Sequence, residues 1–254
     1  MAVLDRRGVG RGVPTPIQEP EDARVPTYVA GLDERLGGGI PKGHVVLVSG
    51  PPGSLKSSFV YRILYREAQK GAASLYLSME QSRGSLTSQM AALGMDPAKA
   101  KGVHVIDVRA LRREIEELRE QPRWLLGLRR QLIRYKEEMG CDLLAIDSLD
   151  ALYALAPFEN PRNEIFQFIE EIRDLNATAF LVAEMARDSV TMAKYGVEEF
   201  LADTIVHLRM REIDAGMATS VRRYIAVVKM RGVNHDLDYF PLLVDGNNFE
   251  IVSE

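Results

Sequence analysis

Val45-Val46-Leu47-Val48-Ser49-Gly50-Pro51-Pro52-Gly53-Ser54-Leu55-Lys56-Ser57-Ser58 carries the decision about fold. Four consecutive apolar residues, three of them β-branched, read as a strand buried on both faces. Ser49-Gly50-Pro51-Pro52-Gly53 ends that strand in a turn. Phe59, Val60, Ile63, Leu64 and Ala68 then recur at three- and four-residue intervals, which predicts a helix. Strand, loop, Lys-Ser and helix in that order form the setting in which backbone N–H groups and a helix N-terminus cradle phosphate oxygens. Gly50, Pro51, Pro52, Gly53, Ser54, Leu55, Lys56, Ser57 and Ser58 are therefore candidates for nucleotide contact. Lys56 would reach the β- and γ-phosphates, and the Ser57 hydroxyl would hold Mg²⁺. The phosphate-loop pattern G-x-x-x-x-G-K-[ST] asks for glycine where Leu55 stands. A non-glycine residue in left-handed geometry costs about 1–2 kcal/mol, so Leu55 must avoid that geometry or be supported in it.

Working outward, Ala73–Met79, Val103–Ile106, Leu143–Ile146 and Ala179–Ala183 are further buried strands. Helices are expected over 84–93, over 111–138 with an interruption near Pro122, and over 163–175. The charges of 112–138 suit a solvated helix surface. Strands alternating with helices imply crossover connections and a mainly parallel sheet flanked by helices. Beyond residue 200 the pattern changes. Ile205–Leu208, Arg222–Lys229, Phe240–Val244 and Phe249–Val252 are strand-like and separated by turn signals, so antiparallel hairpins extend the sheet. Residues 1–24 are rich in Gly, Pro and Arg without periodicity, and are expected to be a flexible leader to one domain over 25–254.

In an open parallel sheet, ligands sit at the C-terminal ends of the strands, and three acids stand there. Asp147 closes Leu143–Ile146 and could hold Mg²⁺ through water or beside Ser57. Alone it would cap the next turn; beside Lys56-Ser57 the metal role is favoured. Glu80 follows Leu75–Met79 and is the candidate to orient or deprotonate an attacking water. Glu184 closes the next strand and could sense the γ-phosphate or polarise the water. With Lys56, these acids are the candidate catalytic residues.

Composition narrows the alternatives. The 254 residues carry 32 Lys+Arg against 36 Asp+Glu, a net charge of −4 that argues against a generally basic nucleic-acid coat. The single Cys141 excludes an internal disulfide framework and a Cys-rich zinc site. No apolar run approaches the length of a membrane helix and no signal-peptide core is present, so a cytoplasmic protein is expected.

The chain resembles a single-domain KaiC-like ATPase of the RecA superfamily. The likeness rests on Gly31-Leu32-Asp33, Leu36-Gly37-Gly38-Gly39-Ile40-Pro41-Lys42-Gly43 and the phosphate loop. Tyr195-Gly196-Val197-Glu198-Glu199-Phe200 with Asp203, and Lys229-Met230-Arg231-Gly232-Val233-Asn234-His235, complete it. It implies a RecA-like phosphate-loop NTPase core, ATP with Mg²⁺, and a homo-oligomeric ring, commonly hexameric, with nucleotide between subunits. By the same resemblance Asp147 takes the metal-holding acid's place, and Lys229, Arg231 and His235 contact the neighbouring subunit's nucleotide. Read without it, Lys229 and Arg231 are alternate residues on one face of an exposed strand edge. The family usually has two consecutive acids after the second strand; here the second is Gln81, so hydrolysis is expected to be slow.

The leading expectation is an ATP-hydrolysing, nucleotide-dependent oligomeric switch in regulation or signalling, with a regulatory protein as a possible partner. One alternative is a nucleotide-sensing scaffold that barely hydrolyses, favoured by Leu55 and Gln81. The other is a RecA-like DNA recombination or repair ATPase. For that, only Arg209, Arg211, Arg222 and Arg223 cluster, without a stacking loop, so nucleic acid is not the expected partner.

Overall fold

The computed structural model of the protein describes residues 24–108, 110–111, 124–154, 158–185, 189, 191–214 and 219–252. In chain order the elements begin with β1 (Arg24–Val25), β2 (Val29–Ala30) and β3 (Ile40–Pro41), then β4 (Val45–Gly50) and α1 (Lys56–Gln69). They continue with β5 (Ser74–Ser78), α2 (Arg83–Ala92), β6 (Val103–Asp107), α3 (Trp124–Met139), β7 (Leu143–Asp147) and α4 (Leu149–Tyr153). The last are α5 (Pro161–Asp174), β8 (Thr178–Glu184), α6 (Glu198–Leu201), β9 (Thr204–Asp214), β10 (Thr219–Met230), β11 (Phe240–Asp245) and β12 (Asn248–Ile251).

Ten strands among the described residues form one sheet in the order β2-β12-β11-β10-β9-β4-β8-β7-β5-β6. From β9 to β6 every neighbouring pair is parallel. The β9–β10, β10–β11 and β11–β12 pairs are antiparallel, and β2 returns parallel to β12 at the far edge. The expected α/β core with antiparallel extension is therefore the observed one.

The continuous apolar run of β4 has a simple cause. Side chains alternate across a strand: Val46 and Val48 enter a core with Phe59, Ile63, Leu64 and Tyr76 on one face of the sheet. Val45 and Leu47 enter a second core with Leu132, Ile165, Phe168 and Ile172 on the other. Each fully buried Leu, Ile or Phe contributes roughly 1.5–3 kcal/mol, which holds β4 centrally and its loop on rigid supports.

Two differences from the sequence expectation have physical reasons. The strands β1, β2 and β3 and the five-residue α4 are too short to show a period. The strands β9 and β10 run past the expected segments, because their outer ends are exposed and carry Arg211, Glu212, Thr219 and Ser220, which show no apolar period. Part of the helix expected over 111–138, and residues 1–23 of the expected leader, lie outside the described residues.

Candidate nucleotide site

At the end of β4 the backbone turns in close quarters. A Cβ on Gly50 would lie 2.3 Å from the Leu208 carbonyl oxygen, so only glycine fits where β9 passes. Gly53 and Leu55 both have positive φ, at 80° and 76°. Leu55 therefore takes the left-handed geometry that the pattern normally gives to glycine, at the entrance to α1. Its carbonyl accepts the Phe59 N–H at 2.9 Å, so the strained residue is fixed by the first helical turn. The Lys56 ammonium folds back over the loop and donates to the Gly50 and Pro51 carbonyls at 2.8 and 3.1 Å.

The parallel ladder brings the acids to this loop. Tyr76 donates its hydroxyl to Asp147, and the Ser57 hydroxyl lies near that carboxylate. Ser148, the N-cap of α4, donates its hydroxyl to Glu80. Asp150, on the first turn of α4, accepts the Glu184 N–H at 2.7 Å. Glu184 stands beside Gly50 in the β4–β8 register.

Burial and charge oppose each other here. Loss of solvent pulls the Lys56 ammonium below its usual pKa, while Glu184, Asp147, Glu80 and Asp150 pull it back up. Burial also lifts Asp147 above the usual carboxylate range, against the opposing pull of the Tyr76 and Ser57 hydroxyls. The Tyr76 phenol is raised well above its ordinary value by burial and by Asp147. A half-buried carboxylate near a serine hydroxyl is a suitable oxygen donor set for a hard divalent cation. The Ser54 hydroxyl, buried in the loop without a protein partner, is available to a phosphate oxygen. The residues present therefore fit both a nucleotide phosphate and Mg²⁺.

The C-terminal candidates lie elsewhere in the single chain. The Lys229 ammonium donates to the Glu199 and Phe200 carbonyls at 2.9 and 3.2 Å. The Arg231 guanidinium bonds Asp203 and the Phe200 carbonyl, each at 2.9 Å. Both cations thus engage α6 and its exit, where helix carbonyls lack intrahelical partners. The expected alternation on one strand face does not hold. The β9–β10 register shifts between Val227 and Lys229, and β10 ends at Met230, leaving Arg231 beyond it. His235 contacts the Val227 and Val233 carbonyls at 3.0 and 3.1 Å.

Four residues at the loop and its acids were not singled out as site candidates from the sequence: Tyr76, Ser148, Asp150 and Arg223. Tyr76 sits inside an apolar strand, and only register with β7 brings it to Asp147. Arg223, read above only as one of a group of arginines, donates to the Gly53 carbonyl at 3.2 Å. Ser148 and Asp150 follow the strand directly, and only the folded sheet makes them neighbours of Glu80 and Glu184.

A mainly parallel sheet with this loop at its C-terminal edge is the architecture of a phosphate-loop protein. The family described as "ATPase: KaiC" matches residues 25–254, and the chain belongs to that family. It is 30% identical over 227 residues to a UPF0273 protein of Thermotoga maritima, an alignment covering 86% of this chain and 91% of that one. It is 27% identical over 241 residues to the circadian clock protein KaiC3 of Synechocystis, covering 87% of this chain and 44% of the clock protein. A solved KaiC-like protein from Pyrococcus horikoshii superposes with a TM-score of 0.76 at 22% identity, covering 91% of this chain and 99% of that one. Among the described residues no helix is long and apolar enough to cross a membrane.

Proposed function

We propose that residues 25–254 form one ATP-binding unit that hydrolyses ATP slowly and acts as a nucleotide-dependent oligomeric switch. One observation carries this: Lys56, Ser57, Asp147, Glu80 and Glu184, from α1 and the ends of three strands, meet around a single loop. The loop N–H groups, Ser54 and Lys56 bind the phosphates; Lys56 leaves the Gly50 and Pro51 carbonyls to do so. Ser57 and Asp147 hold Mg²⁺, which when bound neutralises charge on the phosphate oxygens. Glu80 orients the attacking water, and Glu184 adds negative charge next to Lys56. Positioning of this kind suits phosphoryl transfer, which asks little covalent work of the protein.

By the family resemblance Lys229, Arg231 and His235 serve a neighbouring copy's nucleotide in the proposed ring, for which they would leave their partners at α6, Asp203 and the backbone carbonyls. A cation supplied across an interface stabilises the transferring phosphoryl group. The scaffold alternative keeps one specific support: Ser148 already occupies a Glu80 oxygen, and Gln81 cannot take a proton. Steady-state turnover by Glu80→Gln separates the two. A loss of about tenfold or more supports water activation by Glu80, and unchanged turnover refutes it. Light scattering with and without ATP tests the switch, which predicts that ATP changes the mass of the particle. An unchanged mass removes the intersubunit role.

A further inference from the structure

We infer that Asp150 is a positioning residue of the nucleotide site, its carboxylate replacing a missing strand partner to hold Glu184 against the phosphate loop. The inference rests on the nucleotide-site proposal above. Successive N–H groups of a strand point to opposite neighbours. At the end of β8 the Met185 N–H goes to Gly50 on β4, at 3.1 Å. The Glu184 N–H must then face the β7 side. There the ladder has stopped: the last β7–β8 pair is Asp147 with Val182, and the chain turns at Ser148 into α4. Glu184 is exposed at this strand end, so a backbone donor left there would otherwise turn to water. Asp150 supplies the acceptor instead, with its Oδ2 at 2.7 Å from the Glu184 nitrogen.

The rest of α4 explains why Asp150 reaches. Ser148 caps the helix by accepting the Ala151 N–H at 3.3 Å, so Asp150 lies on the first turn, three residues after Asp147. An acid is favourable at that turn, where the helix end is positive. One short helix thereby spans the site. Its cap hydroxyl holds Glu80, its first-turn acid holds the Glu184 backbone, and Asp147 precedes both. Glu184 pairs with Gly50, whose carbonyl accepts the Lys56 ammonium, so fraying of its backbone would be felt at the loop lysine. The hydrogen bond makes Asp150 a support for Glu184, acting through it rather than on phosphate.

The test compares Asp150→Ala, which removes the acceptor, with Asp150→Asn, which keeps an amide oxygen of the same reach and removes the charge. Both are checked for folding by circular dichroism and studied as the full chain. We expect Asp150→Ala to speed amide hydrogen exchange at Glu184 about tenfold or more. It should also lower kcat for ATP by about tenfold while KM moves less than about threefold. Asp150→Asn should recover most of both losses. Equal exchange at Glu184 in wild type and Asp150→Ala overturns the inference, as does an Asp150→Asn variant as impaired as Asp150→Ala. A wild-type chain with no ATP turnover overturns the nucleotide proposal, and the inference with it. Normal turnover with no exchange difference overturns the inference alone.

Discussion

Leu55 sits at φ 76° and ψ 24°, where a β-carbon is crowded and glycine is at ease. Replacing it by Gly removes a strain of about 1–2 kcal/mol but frees the unfolded chain by about 0.5–1 kcal/mol and gives up the packing of a half-buried side chain. We therefore predict that Leu55→Gly leaves the thermal midpoint within a few degrees of wild type, whereas the β-branched Leu55→Val loses about 1–2 kcal/mol in urea unfolding. The departure from the loop pattern was plain in the sequence. Its outcome was not, since a residue pattern does not say whether the backbone at the entrance to α1 avoids left-handed geometry or tolerates it. The acids divide in the same way. Asp147, Glu80 and Glu184 were legible because each closes an apolar run. Tyr76 and Ser148 were not, because their partners lie 71 and 68 residues away in sequence and meet them only across the sheet.

The segment from α6 into β9 turns on Asp203. Its carboxylate accepts the Val45 N–H and pairs with Arg173 and Arg231, all near 3 Å. Burial disfavours its charge, yet these donors hold its pKa below the usual carboxylate value. Asp203→Ala strands them, and should cost about 2–4 kcal/mol in denaturant unfolding. Further along β9, His207 is 3% exposed, and its Nδ1 lies 2.7 Å from the Tyr239 hydroxyl. Burial, with Arg209 nearby, lowers its pKa from 6.5 to about 4. The unfolded chain therefore binds the extra proton first, so stability is full above pH 6.5 and falls as the pH drops towards about 4. The loss reaches on the order of 3 kcal/mol. Urea titrations at pH 7.5 and pH 4.5 check this; His207→Gln should flatten the difference. The long core strands and helices were legible from apolar periodicity. The outer half of β9 and the first three residues of β10 were not, because water solvates their side chains and the ladder alone extends them.

At the scale of the molecule, a net charge of −4 conceals a sharp local arrangement: one lysine among four acids at the loop, and two cations engaged at α6. If the second set serves a neighbour's nucleotide, Lys56→Ala and Arg231→Ala damage different halves of a shared site. Each alone should lose about 100-fold or more in ATP turnover. Co-assembled in equal amounts, they should recover about a quarter of wild-type activity, because some interfaces join two intact halves. No recovery from variants that co-assemble would place the cations' role within one chain or away from the nucleotide. Beneath that lies the claim that the Gly50–Ser58 loop binds and helps to hydrolyse ATP. The direct measurement is Mg²⁺-dependent ATP binding and phosphate release by wild type and by Lys56→Ala, with folding confirmed by circular dichroism. The account predicts slow release by wild type and a loss of about 100-fold or more in the variant. A folded Lys56→Ala protein that binds and turns over ATP as wild type does would contradict it.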